Sequence, residues 1–130
     1  MATFPVALVT PERILFEGEA EMVTMRSGGG DIAFLAGHEP YVSTVEIGVV
    51  RVDVGEGQSE RFAAHGGFVE VNEGSVTVLS GVAERPDEID VARAQRAKEQ
   101  AEQRAGDSDD AEAAADLQRA TARLELADQS

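Results

Sequence analysis

The stretch Ala83-Glu84-Arg85-Pro86 divides the sequence into two kinds of chain. Twelve of the 13 glycines lie in residues 1–81, and only Gly106 follows the break. Alanine runs the other way, with 8 in residues 1–83 and 12 in residues 84–130. Glycine-punctuated sequence with β-branched runs favours short strands, whereas Ala, Glu, Arg and Gln favour helix. Pro86 supplies the punctuation between the two. The expected layout is a β domain over residues 1–83 and a helical tail over residues 84–130.

Upstream of the break, apolar runs recur between turn signals: Phe4–Thr10, Ile14–Met25, Gly48–Val54, Arg61–Ala64, Phe68–Val71 and Val76–Leu79. Val50, Val52 and Val54 point one way while Arg51 and Asp53 point the other, the period-two signature of a half-buried strand. Gly55-Glu56-Gly57, the Gly66-Gly67 pair and Asn72-Glu73-Gly74 read as turns. Strands at a spacing of roughly ten residues predict an all-β sandwich or flattened barrel rather than βαβ units.

Downstream, two helices are expected. Asp87 is placed to cap the first, with Asp90 in the role of a capping-box acid. Ala94, Ala97, Ala101 and Ala105 form a small-residue stripe on it. Gly106-Asp107-Ser108-Asp109-Asp110 breaks the helix. Ala113, Leu117, Ala120, Leu124 and Ala127 make the matching seam of a second helix, and the pair reads as an antiparallel hairpin. An alanine seam buries little area at about 25 cal/mol per Å², so such a hairpin is weakly held to itself.

Composition narrows the function. The 130 residues carry 25 Asp and Glu against 11 Lys and Arg, a net charge of −14. That excludes general nucleic-acid binding, which needs a cationic face, and direct adhesion to anionic lipid. Zero cysteines exclude disulfides, thiolate metal sites and a Cys nucleophile. No run approaches 18 apolar residues, so no membrane insertion is expected. Met1-Ala2-Thr3-Phe4-Pro5 reads as neither a basic leader nor a signal core. Gly28-Gly29-Gly30-Asp31 lacks the Lys-Ser/Thr of a phosphate loop and reads as a hairpin tip. His38 and His65 lack metal-ligand spacing, so no metal site is expected. Neither histidine has a recognisable nucleophile partner, and no catalytic residue is expected.

The charge is unevenly spread. Seven of the eleven basic residues lie in residues 84–130, so the tail has a locally cationic surface. Arg119 and Arg123, four apart, share a helix face, and Asp90 and Arg93 are one turn apart. On folding, Arg93, Arg96, Arg119 and Arg123 could converge on a polyphosphate, for which the planar guanidinium fork is suited; solvated surface arginines are the simpler reading.

In sequence order, Gly30-Asp31-Ile32-Ala33-Phe34-Leu35-Ala36-Gly37-His38-Glu39-Pro40, Gly48-Val49-Val50-Arg51-Val52, Gly66-Gly67-Phe68-Val69-Glu70-Val71, Val76-Thr77-Val78-Leu79 and Glu88-Ile89-Asp90-Val91-Ala92-Arg93-Ala94 resemble the epsilon subunits of bacterial F-type ATP synthases. The resemblance spans essentially the whole chain. It implies an N-terminal β-sandwich of about ten strands and a C-terminal two-helix hairpin. It implies a non-catalytic rotor-stalk subunit bound to the gamma subunit and the c-subunit ring, peripheral on the cytoplasmic side of the bacterial cell membrane through the complex. The family loop that meets the ring corresponds to residues 30–40, which makes Asp31, His38 and Glu39 the expected rotor interface. The family hairpin either folds down or extends towards the alpha and beta subunits to inhibit ATP hydrolysis. No cofactor is required, but in some members the folded-down form binds ATP as a regulatory ligand. Asp90 and Arg93 match that Ile/Leu-Asp-x-x-Arg-Ala motif, and Arg119 and Arg123 match the family's second-helix arginines; Arg96 is added to the expected ATP site from its place in the arginine cluster. The chain departs from the family at Ala33-Phe34-Leu35-Ala36, where Ile-Leu-Pro is usual. A free-standing ATP-sensing module of the same fold is the alternative; a cupin-like enzyme would need a metal-ligand cluster.

Overall fold

A computed structural model describes residues 2–28, 30–105 and 111–129, excluding the side chains of Ala105 and Gln129. Eight strands precede two helices: β1 (Phe4–Val9), β2 (Ile14–Ala20), β3 (Met22–Ser27), β4 (Gly30–Leu35), β5 (Tyr41–Gly55), β6 (Gln58–Asn72), β7 (Ser75–Leu79), β8 (Ala83–Glu84), α1 (Val91–Ala105) and α2 (Ala111–Gln129). A 3-10 turn, Pro86–Glu88, joins β8 to α1.

The strands form a sandwich whose two layers share one long hairpin. The hydrogen-bonded order is β2-β1-β7-β6-β5-β3-β4, with β8 on β6. β7 pairs with the second half of β6, at Phe68–Asn72, while β3 pairs with the second half of β5, at Arg51–Asp53. Because β5 and β6 are antiparallel, those attachments lie at opposite ends of the hairpin. Each 15-residue strand therefore serves both layers. Counted by layer, the eight strands give five segments in each, which agrees with about ten.

Gly66-Gly67 lies inside β6 rather than between two strands, and there the expected turn is a bend. Both glycines have positive φ, and a Cβ on Gly67 would lie 2.0 Å from the Leu79 carbonyl oxygen. Only glycine permits the chain to cross between layers this closely. The bend switches the inward parity of β6 from Phe62 and Ala64 to Val69 and Val71. The run Ile14–Met25 is likewise two strands, broken at Glu21. Residues 30–40 are not one loop: Gly30–Leu35 is β4, paired with β3. Gly28 stands in the turn before it, and Gly29 lies outside the described residues.

One contiguous core fills the sandwich. Phe4, Val6 and Leu8 of β1 meet Val23 and Met25 of β3, Val50 and Val52 of β5, Phe62 of β6 and Val76 and Val78 of β7. Val54, the third residue of the predicted alternation, is half-buried against them.

The hairpin packs on the outside of one layer. The row Ile47/His65, Val49/Ala63 and Arg51/Arg61 faces outward from the first-half β6 and second-half β5 ladder. α2 covers this face. Ala63 is buried despite its outward position, as are Ala122 and Leu126 of α2. Small residues on the sheet let the helix approach. The alanine seam forms as expected at Ala94, Ala101, Ala113 and Ala120, with Ala97, Leu117, Leu124 and Ala127 half-buried. The breaker at residues 106–110 lies outside the described residues. The capping expectation is corrected. Asp90 immediately precedes α1, and its carboxylate accepts from the Arg93 backbone N–H at 3.1 Å. Asp87 instead belongs to the 3-10 turn, where Glu88 closes back on the Arg85 backbone N–H at 2.7 Å.

Candidate regulatory cleft under the helical hairpin

Where β8, the 3-10 turn and the two helices meet, Glu84, Glu88, Asp90, Arg93, Ala94, Ala97 and Arg123 line a cleft of about 240 Å³. β8 delivers Glu84 because its short pairing with Ala63 and Ala64 of β6 fixes the backbone there. The N-terminus of α1 delivers Asp90, just before the helix, and Arg93 in its first turn, and α2 delivers Arg123.

Each acid in the cleft already has a donor. Arg13 clasps Glu88 with two bonds of 2.5 and 2.8 Å and also donates to the Ala83 carbonyl. Arg13's hydrogen bond, then that of the Arg85 backbone N–H, holds the Glu88 carboxyl at about 2. Asp90 is occupied by the α1 backbone. Glu84 Oε1 accepts from both His65 Nε2 and Arg123 Nε, each at 2.7 Å. Burial opposes ionisation of Glu84, but the bonds from Arg123 and His65 outweigh it and hold its pKa below the usual value. Among the described residues, nothing pairs with the Arg93 guanidinium. Glu84 and Glu88 are thus each paired with an arginine, Asp90 caps the α1 backbone, and the Arg93 guanidinium faces the cleft.

Of the five residues expected to converge, the structure brings together Asp90, Arg93 and Arg123. Arg96 is exposed on α1, and neither it nor Arg119 lines the cleft. Arg119 donates to Asp116 at 2.8 Å, and Arg104 reaches the same carboxylate at 3.1 Å. Asp90 and Arg93, one turn apart, meet through the Arg93 backbone N–H rather than its guanidinium.

The residues expected at the rotor interface do not share one patch. Asp31 is exposed beside the β3–β4 turn, opposite Arg26. His38 and Glu39 follow the far end of β4, about 13 Å along the strand at 3.3 Å per residue. His38 packs into the end of the core, edge-on to Phe4 at 5.1 Å and Phe34 at 5.9 Å, with Nδ1 on the Leu35 carbonyl. Glu39 is exposed. No group of three or more His, Asp or Glu among the described residues is arranged to hold a metal.

The sequence assigns no role to Glu84, Arg13 or Leu126, and His65 enters it only as a candidate ligand or base that is set aside. One signal was available for His65. Continuing the parity of Phe62 and Ala64 puts Ala63 and His65 outward, and an outward alanine beside a histidine marks a covered face.

A β-sandwich, antiparallel except where β1 and β7 run parallel, bearing a folded-down helical hairpin defines the class of protein. Residues 3–86 match the family model described as the ATP synthase, Delta/Epsilon chain, beta-sandwich domain, and residues 87–128 the long alpha-helix domain of the same chain. The chain belongs to this family, and its curated relatives are epsilon chains. It is 50% identical to the ATP synthase epsilon chain of Desulforudis audaxviator (strain MP104C) over 79% of this chain and 74% of that one. It is 42% identical to the epsilon chain of Shouchella clausii (strain KSM-K16) over 98% and 96%. The fold matches a chain in the cryo-EM structure of the Euglena gracilis mitochondrial ATP synthase OSCP/F1/c-ring, with TM-score 0.79, 24% identity and coverage of 99% and 81%. A chain of the Tetrahymena thermophila mitochondrial ATP synthase central stalk and c-ring matches with TM-score 0.56 at 14% identity over 66% and 69%.

Proposed function

We propose that the chain is a non-catalytic central-stalk subunit of a proton-translocating F-type ATP synthase, binding the gamma subunit and the c-ring through its sandwich. It associates with the cytoplasmic side of the bacterial membrane only through that complex; among the described residues no helix is long and apolar enough to cross a membrane. The observation that carries the reading is the division of labour between the two sandwich faces. The hairpin occupies one outer face. The other presents Val42, Phe68 and Leu79, exposed by 70, 55 and 42%. Phe68 and Leu79 are cross-strand partners on adjacent strands, so the apolar surface is continuous. A patch of this kind fits a permanent protein partner. Asp31 and Glu39, exposed at opposite ends of β4, are the polar groups proposed to meet the ring.

The hairpin is proposed to regulate ATP hydrolysis, with ATP stabilising the folded-down form. Arg93 and Arg123 take the phosphates, Asp90 holds the α1 terminus in place, and Arg96 and Arg119 lie close enough in sequence to join by side-chain movement. Truncation after Glu88, which keeps β8 and the Arg13 clasp, should leave co-purification with gamma and c subunits intact while changing ATP hydrolysis. Loss of assembly on that truncation would place the rotor surface in the hairpin and overturn the reading. Arg93→Ala should weaken ATP binding at least about tenfold, the loss of one charge-assisted contact; unchanged affinity would make the cleft a surface feature.

A further inference from the structure

A polar contact that holds α2 to the sandwich, Arg123 to Glu84, passes on to a histidine that the regulatory reading does not use. The His65 side chain is only 2% exposed. Its Nε2 meets Glu84 at 2.7 Å, and Glu84 Oε1 is the same atom that accepts from Arg123 of α2. The carboxylate fixes the neutral tautomer, because an acceptor-only group requires the proton on Nε2. Nδ1 is then a bare lone pair, buried and without a hydrogen-bond partner among the described residues.

We propose that His65 makes docking of the hairpin proton-sensitive: with a neutral imidazole α2 lies on the sandwich, and protonation of His65 releases it. A second proton would create a buried Nδ1–H donor with no acceptor. It would also place a second cation on a carboxylate already paired with Arg123. The groups facing the ring are Glu84 from β8 and Arg123 and Arg119 from α2, while β5 places Ile47 opposite it. One acid faces two arginines, so attraction to Glu84 does not offset repulsion and burial together. The imidazole is accordingly pushed below its usual pKa, first by burial. Lifting α2 removes both arginines and re-solvates the ring, and its proton affinity returns towards the ordinary value.

The sign follows from linkage. Docking lowers the affinity of His65 for a proton, so docking is undiminished above about pH 6.5, the ordinary imidazole value. Below it, the undocked form takes up a proton that the docked form resists. For one proton the ratio of undocked to docked hairpin rises by up to about tenfold per pH unit, until the lowered value of the docked state is reached. Glu84 stays ionised through this window because its own pKa is held down. The proposal concerns the isolated chain and does not depend on ATP or on the rotor.

The chain has no cysteine, so a donor and acceptor dye pair at Glu60→Cys and Gln118→Cys, both exposed positions, reports docking in the full chain. Energy transfer should be constant above pH 7 and fall progressively below pH 6.5. His65→Gln, whose amide nitrogen can still donate to Glu84, should abolish that response. Transfer that stays constant down to pH 5, or an unchanged response in His65→Gln, overturns the proposal. If His65→Gln undocks the hairpin at every pH, NMR titration of the imidazole decides. His65 should titrate at lower pH in the wild-type chain than in Leu126→Ala, where α2 has lost its anchor. Equal values would overturn it.

Discussion

The sandwich and the hairpin are both closed by apolar contacts, but of different substance. The sandwich core is built from Phe62, Leu8, Met25 and a set of valines, all fully buried. Between the helices the buried residues are Ala94, Ala101, Ala113 and Ala120, and Leu126 is the one large fully buried side chain of the hairpin among the described residues. Burying a Val, Leu or Phe side chain contributes about 1.5–3 kcal/mol, and an alanine methyl far less. The sandwich therefore has the means to stand alone. The hairpin leans on it through contacts that include Leu126, Ala122 and a carboxylate shared by His65 and Arg123. An element so held is expected to open before what it rests on unfolds, which is what the proposed regulatory role requires.

The largest effect should come from breaking the sandwich at its bend. Gly67→Ala places a Cβ against the Leu79 carbonyl in a backbone conformation that alanine avoids. Strain and overpacking together should cost about 3–5 kcal/mol in urea unfolding of the sandwich. Leu126→Ala should cost about 2–3 kcal/mol, read as faster amide exchange in α1 and α2 with the sandwich midpoint unmoved. Asp90→Ala removes the α1 cap and should cost the hairpin about 1 kcal/mol. The smallest effect lies at the hinge. The Glu88 carboxyl is held at about 2 by Arg13, so this contact is present above the usual carboxylate range and fades as pH falls towards 2. Arg13→Ala should flatten that acid dependence between pH 4.5 and 2, and an unaltered acid limb would show that the clasp contributes nothing.

The same contrast sets what the sequence could disclose. Alternation at Val50 and Val52 and the i, i+3, i+4 alanines announced the strand and the seam because both are local periodicities. The continuation of β6 through Gly66-Gly67 was not legible. A glycine pair signals a turn unless the Leu79 carbonyl, twelve positions on, is known to pass beside it. Residues 30–35 alternate too weakly to mark a strand; of β4 only Phe34 is buried. The second apolar face of α2, Ala122 and Leu126, was obscured by the stronger seam beside it. Asp90, Arg93 and Arg123 were found through residue type and resemblance. Their neighbours His65, Glu84 and Arg13 were not, since Glu84 lies 19 residues from His65 and 39 from Arg123, and Arg13 lies 75 from its partner Glu88. Contacts of that reach leave no mark in spacing.

Native-state amide exchange on the intact chain tests most directly whether the hairpin opens independently of the sandwich. Amides of α1 and α2 should exchange through a common opening well below the global unfolding free energy, while those of β1, β5, β6 and β7 exchange only with global unfolding. One opening free energy shared by helices and strands would contradict it.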